Sequence, residues 1–156
     1  MIIDIDYQIK TIIMKEVTKN TLLKSLDRLV GTWKASDPSG ADGVKGHTTF
    51  EWMEGGNFLI QRVDLGEAKG IEIIGYDEKS KSLQSHYFEG NTGKHLEYTY
   101  QLEDDTLTVS IDMPKAKGQF IGKFNDDNTE YKGRWDWVQD GKKMGYEATM
   151  TRTKSK

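Results

Sequence analysis

A chain of 156 residues is long enough for one domain with a buried core, and its net charge of −3 argues against nucleic acid or an anionic membrane as a partner. The absence of cysteine excludes disulfides, thiol catalysis and thiolate metal sites, and fits a reducing compartment. Sixteen glycines against two prolines, with 10% aromatic residues, point to an antiparallel β protein with tight turns and a core rich in rings.

Residues 1–13 alternate weakly, with Ile3, Ile5, Tyr7 and Ile9 on one side, which fits an extended arm or a weak strand. Asp4 and Asp6 stand where a secretory signal needs positive charge, and no apolar run approaches a membrane span. A cytoplasmic protein is the expectation. Met14 is a second candidate start, which would leave the domain at 14–156. Asn20 or Thr21 is placed to cap a short helix over 22–29, with Leu22, Leu26 and Leu29 at helical spacing.

Gly31-Thr32-Trp33-Lys34-Ala35 opens the first strand, and residues 36–46 form a polar, Gly-rich loop. Nine more strands are expected, near 47–54, 57–65, 70–78, 82–89, 94–103, 106–113, 117–125, 129–139 and 142–153. Each is separated from the next by a short turn. This pattern describes a single antiparallel up-and-down β-barrel of about ten strands, preceded by a short helix.

Turns fix register, so the strand faces can be tested. A two-residue turn at Asp140-Gly141 pairs Trp137 with Met144, Trp135 with Tyr146, Gly133 with Ala148 and Tyr131 with Met150. Arg134 and Glu147 then share the opposite face. The turn at 126–129 pairs Phe124 with Tyr131, Gly122 with Gly133 and Phe120 with Trp135. Turns at 104–105 and 90–93 place Tyr100 beside Val109 and Leu83, and Tyr87 beside Leu96, with Tyr98 beside Ser85. All four turns agree on one inner face. Its rings surround the small residues Gly122, Gly133 and Ala148, which either leave a ligand cavity or let the sheet bend and admit a neighbouring ring.

The 47–54 and 57–65 pair is ambiguous. One face carries Phe50, Trp52, Leu59 and Gln61, and the other Glu51, Met53, Phe58, Ile60 and Arg62. Turned inward, Glu51 and Arg62 would form a buried polar site; turned outward, an ordinary surface ion pair.

Catalytic and metal motifs are absent. His47, His86 and His95 lack metal-ligand spacing. The register sets His86 opposite Glu97, and Glu97 opposite Asp112, as an outward row that is either simply solvated or bridged by a weak metal. The acidic stretch 126–130 is followed by Tyr131 where an EF-hand loop needs glycine. Residues 40–46 lack the Gly-Lys-Ser/Thr of a phosphate loop and read as a flexible loop or a lid. No cofactor is expected.

Gly31-x-Trp33 on the first strand, with Arg152 inward on the last, resembles the lipocalin-type (calycin) pattern, in which an arginine stacks on the tryptophan to close the barrel. Leu29 to Trp33, Glu54-Gly55-Gly56-Asn57-Phe58-Leu59, Gly75-Tyr76-Asp77 and Met150-Thr151-Arg152 look most like a family of uncharacterised bacterial lipocalin-like proteins, over about residues 20–154. The ten-stranded haem-binding nitrobindins are a more distant resemblance. Those use a histidine near the C-terminal end, and none follows His95 here, so haem is not implied.

The resemblance implies a fold more than a chemistry. The expected function is binding of a small apolar or amphipathic molecule inside the barrel, by Tyr87, Tyr98, Tyr100, Phe120, Gly122, Gly133, Trp135 and Tyr146, with Glu51 and Arg62. Trp33 and Arg152 are the expected closure residues. The alternatives are an enzyme using Glu51, Arg62 and a tyrosine, or an interaction module, such as a homodimer, joined through an outer face or open edge.

Overall fold

The computed structural model describes residues 2–36 and 44–153 and forms a closed ten-stranded antiparallel barrel preceded by one helix. Helix α1 spans Ile2–Ser25 and runs directly into a 3-10 turn, Leu26–Leu29. The strands are β1 (Gly31–Ser36), β2 (Val44–Trp52), β3 (Phe58–Leu65), β4 (Ala68–Asp77) and β5 (Ser82–Glu89), followed by β6 (His95–Glu103), β7 (Thr106–Met113), β8 (Ala116–Phe124), β9 (Glu130–Gln139) and β10 (Lys142–Arg152). Each strand pairs with its neighbour in sequence, and β1 pairs with both β2 and β10. Closure removes every free edge, so the open-edge version of the interaction reading has no basis. The loop expected to be a lid falls largely on 37–43, outside the described residues.

The turns act as the sequence requires. Asp140 (φ 52°) and Gly141 (φ 76°) both take positive φ, the backbone of a type I′ hairpin turn, and the ladder behind them joins Trp135 to Tyr146 and Gly133 to Ala148. The expected pairings across β8–β9 and β5–β6 are also present. In β2–β3, Phe50, Leu59 and Gln61 face inward.

The N-terminal segment departs from expectation. Residues 2–13 are helical rather than an arm or strand, and the helix neither starts at Asn20 or Thr21 nor continues to Leu29 as α-helix. Thr21 instead bonds back to the Val17 carbonyl inside α1. Only the C-terminal end of α1 is pinned. Leu23 is buried there, while Ile5, Tyr7, Ile9, Ile12, Ile13, Met14 and Val17 are exposed. No helix among the described residues is long and apolar enough to cross a membrane.

The core occupies the barrel end nearest α1. Leu23, Leu26 and Leu29 pack there with Trp33, Leu59, Ile74, Leu83, Phe124 and Tyr131. Trp33 is fully buried, its ring edge-on to Tyr131 at 4.9 Å. Its Nε1 donates to the Leu29 carbonyl at 2.7 Å, so the indole anchors the 3-10 turn as well as filling space.

Candidate functional site

The plug end explains why the chain carries Gly31. Trp33 and Arg152 are directly paired across β1 and β10, and the guanidinium lies 4.2 Å from the Trp33 ring centroid. Gly31 has φ +125°, and a Cβ there would stand 2.5 Å from Arg152 Nη1. Arg152 donates to the carbonyls of Arg28 and Val30, at the end of the 3-10 turn, and to that of Asn128 in the turn between β8 and β9. Arg28 extends the closure. It lies over Phe124 at 4.4 Å and donates to Asp105 Oδ1 and the Asp104 carbonyl. Trp33 and Arg152, the expected closure residues, are thus paired and stacked at this end of the barrel.

Above this plug the barrel is hollow. A cavity of about 630 Å³ extends from Phe50, Tyr131 and Met150 up to residues beside the opposite turns, including Ala68, Lys94, Ala116 and Gln139. Ten strands enclose more space than the eight that side chains just fill. One wall is apolar, with Leu107, Val109 and Ile111 on β7, Phe120 on β8, Trp135 on β9, and Ala148 and Met150 on β10. The other also carries Phe50, Val63, Leu65 and Leu96, but it holds a polar band of Thr48, Gln61, Glu72, Tyr87, Tyr98 and Tyr100 on β2 to β6. This band follows the ladder: Gln61 pairs with Glu72, and Glu72 with Tyr87. Gln61 Nε2 donates to the buried Thr48 Oγ1 at 2.6 Å.

Glu72 is the chemically distinctive residue. It is only 4% exposed, and its two carboxyl oxygens accept from Ser85 Oγ at 2.5 Å and from the Tyr100 hydroxyl at 2.9 Å. Burial pushes its pKa up to about 7, and the two hydroxyl donors partly offset that rise. Burial also raises Tyr98, Tyr100 and Tyr131, with the nearby Glu72 charge adding to each shift. Nearer the mouth, Tyr87 donates to Glu89 at 2.5 Å, which holds Glu89 below the usual carboxylate range.

Six of the expected interior residues, Tyr87, Tyr98, Tyr100, Phe120, Trp135 and Tyr146, line this cavity. Tyr146 stands at its upper part, 48% exposed and edge-on to Trp137. Gly122 and Gly133 do not line it. A Cβ at Gly133 would fall 2.5 Å from Phe120 Cζ, and one at Gly122 would fall 2.6 Å from its Cε1. The Phe120 ring covers both glycines, so their missing side chains admit a ring instead of opening space.

Glu51 and Arg62 are also corrected. They form a 3.3 Å ion pair on the outer surface with more than half of each side chain exposed, because Phe50, Trp52, Leu59 and Gln61 take the inner positions. An enzyme built on Glu51 and Arg62 has no basis in this arrangement. The residue missed was Glu72. Running the turn after Asp77 back along β4 would have set it opposite Tyr87, already assigned to the interior.

Outside the barrel, His86, His95 and Glu97 bring potential metal-binding atoms within 4.8 Å of one another, and His86 Nδ1 lies 3.5 Å from Glu97 Oε1. Two imidazoles and a carboxylate suit a borderline divalent ion such as zinc. All three side chains are exposed on the β5–β6 face. Asp112, expected to crowd Glu97, instead pairs with Lys117 at 3.3 Å.

The chain matched no protein-family description and no curated protein.

Proposed function

We propose that the protein binds a small amphipathic molecule inside the barrel. The observation that carries this reading is the cavity of about 630 Å³ with an apolar wall on β7 to β10 and a polar band on β2 to β6. A site with this division favours a ligand whose apolar body meets Phe120 and Trp135 and whose polar end meets Gln61 and Glu72. Gly31, Trp33 and Arg152 also support placing the chain among lipocalin-like barrels, and its lack of cysteine suits a cytoplasmic setting.

Native mass spectrometry of protein purified from its own host tests the proposal. A retained small molecule should be present and should be lost in Val109→Trp, which fills the apolar wall. Retention by that variant, with the protein folded, would place the molecule elsewhere.

A second reading draws on Glu72 alone. A carboxyl that titrates near neutrality inside a cavity suits proton transfer to or from a bound substrate. Under this reading Glu72→Gln retains substrate binding and loses turnover. Loss of binding without any turnover in the parent protein would favour a simple carrier.

A further inference from the structure

Among the described residues, Glu72 has hydrogen-bond donors but no counter-ion. The groups acting on it are burial, Ser85 and Tyr100, with no cation among them. Each carboxylate oxygen accepts one hydrogen bond, whereas a carboxylate offers about four acceptor sites in all. A buried carboxylate in this state is completed by a group bringing both positive charge and several donors. The surrounding walls suit the same group. Tyr87, Tyr98, Tyr100, Phe120 and Trp135 line the cavity, and aromatic faces attract cations. The lysines in the wall, Lys45 and Lys94, lie toward the mouth, beside Tyr146 and in the β5–β6 turn. Glu72 therefore makes the inner cavity hostile to an anionic head group.

We propose that the molecule held in the barrel is a lipophilic amine, its ammonium seated against Glu72 and its apolar body against Phe120 and Trp135. This rests on the cavity being a binding site. The groups facing Glu72 keep the linkage simple. Gln61 on β3 and Thr48 on β2 do not titrate. Ser85 and Tyr87 face it from β5, Tyr98 and Tyr100 from β6, and Tyr131 from β9. Burial holds these tyrosines above their ordinary range, so Glu72 is the group among them that ionises between pH 5 and 8. Ammonium binding requires the carboxylate, so binding releases the proton Glu72 carries at lower pH.

The test compares phenylalkylamines of increasing chain length with the corresponding phenylalkanols, by calorimetry from pH 5.5 to 8. The amines should bind at least about tenfold tighter than the alcohols at pH 8. Their affinity should rise toward about tenfold per pH unit below the Glu72 transition and level off above it. Glu72→Gln should remove the preference, so that the amines bind no tighter than the corresponding alcohols. Tyr100→Phe, which deletes a donor to the carboxylate, should move the pH transition upward and serves if the first variant folds poorly.

Equal or tighter binding of the alcohols at pH 8 would overturn the amine assignment while leaving the cavity as a binding site. An amine preference unchanged in Glu72→Gln, or a pH transition unmoved in Tyr100→Phe, would do the same. Failure of both probe series to bind would overturn the cavity reading itself.

Discussion

Arg152 Nη1 occupies the space that a side chain on Gly31 would need, since a Cβ there would lie 2.5 Å away. The first residue of the first strand and the last residue of the last are thus fitted to one another, with Trp33 stacked against the same guanidinium. Arg152→Ala removes the stacking and three hydrogen bonds to backbone carbonyls, and should cost about 2–4 kcal/mol in urea unfolding. Gly31→Ala should damage the same contact, so the double variant should be less destabilised than the sum of the singles. Trp33→Ala should cost roughly 3–5 kcal/mol through lost packing. Additivity of the first two would show that they act separately.

Stability should fall as pH rises through the range set by Glu72. Its folded pKa of about 7 lies above the ordinary 4.5, so the folded state holds a proton that the unfolded chain has released. Between these values the unfolded state binds fewer protons, and stability drops by roughly 3 kcal/mol before levelling above pH 7. Glu72→Gln removes this contribution and should be more stable than the parent at pH 8, with a flatter profile. Denaturant midpoints from pH 5 to 8 would show this. An unchanged slope would mean that Glu72 titrates normally.

Much of the inner face was legible because four short turns each fixed the parity of the strands beside them. Trp135 opposite Tyr146 follows directly from the two residues Asp140 and Gly141. The β2–β3 pair was less legible because Gln61 inside and Glu51 outside give both faces a mixed composition. Glu72 was missed because an acid between Ile71 and Ile73 reads as solvent-facing, and only the turn at 78–81 carries the register across from β5. The glycines at 122 and 133 could be read either as a cavity or as a bend or room for a neighbouring ring, and the ring is that of Phe120, two residues before Gly122 on β8. The first half of α1 was obscured for a different reason. Its apolar residues from Ile5 to Met14 are exposed rather than gathered on a buried stripe, and in the sequence Ile3, Ile5, Tyr7 and Ile9 mimic strand alternation.

Gly133→Ala should be destabilising although it adds only a methyl group. The new Cβ would meet the Ile121 carbonyl and the Phe120 ring, and the backbone partner cannot swing aside. A cost of about 1–3 kcal/mol is expected. Gly93→Ala offers the comparison, since a Cβ there meets nothing within 4 Å and only its φ of +70° opposes the change. Calorimetric midpoints should therefore fall further for Gly133→Ala.

A chain beginning at Met14 should keep the barrel intact. The side chains of Ile5 to Met14 are mostly exposed, whereas the plug depends on Leu23, Leu26 and Leu29. Near-UV circular dichroism and the melting midpoint should stay close to those of the full chain. Shortening to residue 27 removes Leu23 and Leu26 and should lower the midpoint sharply.

Glu51→Ala should change stability by less than about 1 kcal/mol, because both members of its ion pair are more than half exposed. Probe binding inside the barrel should be untouched. A large loss of affinity would contradict the outward orientation of this pair.

The pairing of β1 with β10 also constrains how the chain matures during synthesis. Trp33 is made well before its cross-strand partner Arg152, which ends the tenth strand. Until then the strand carrying Trp33 lacks one neighbour, and the cavity walls cannot join into a ring. Until β10 has been made, the rings of the earlier strands have no closed interior to enter. Closure between the two ends is a long-range contact of the kind that slows folding.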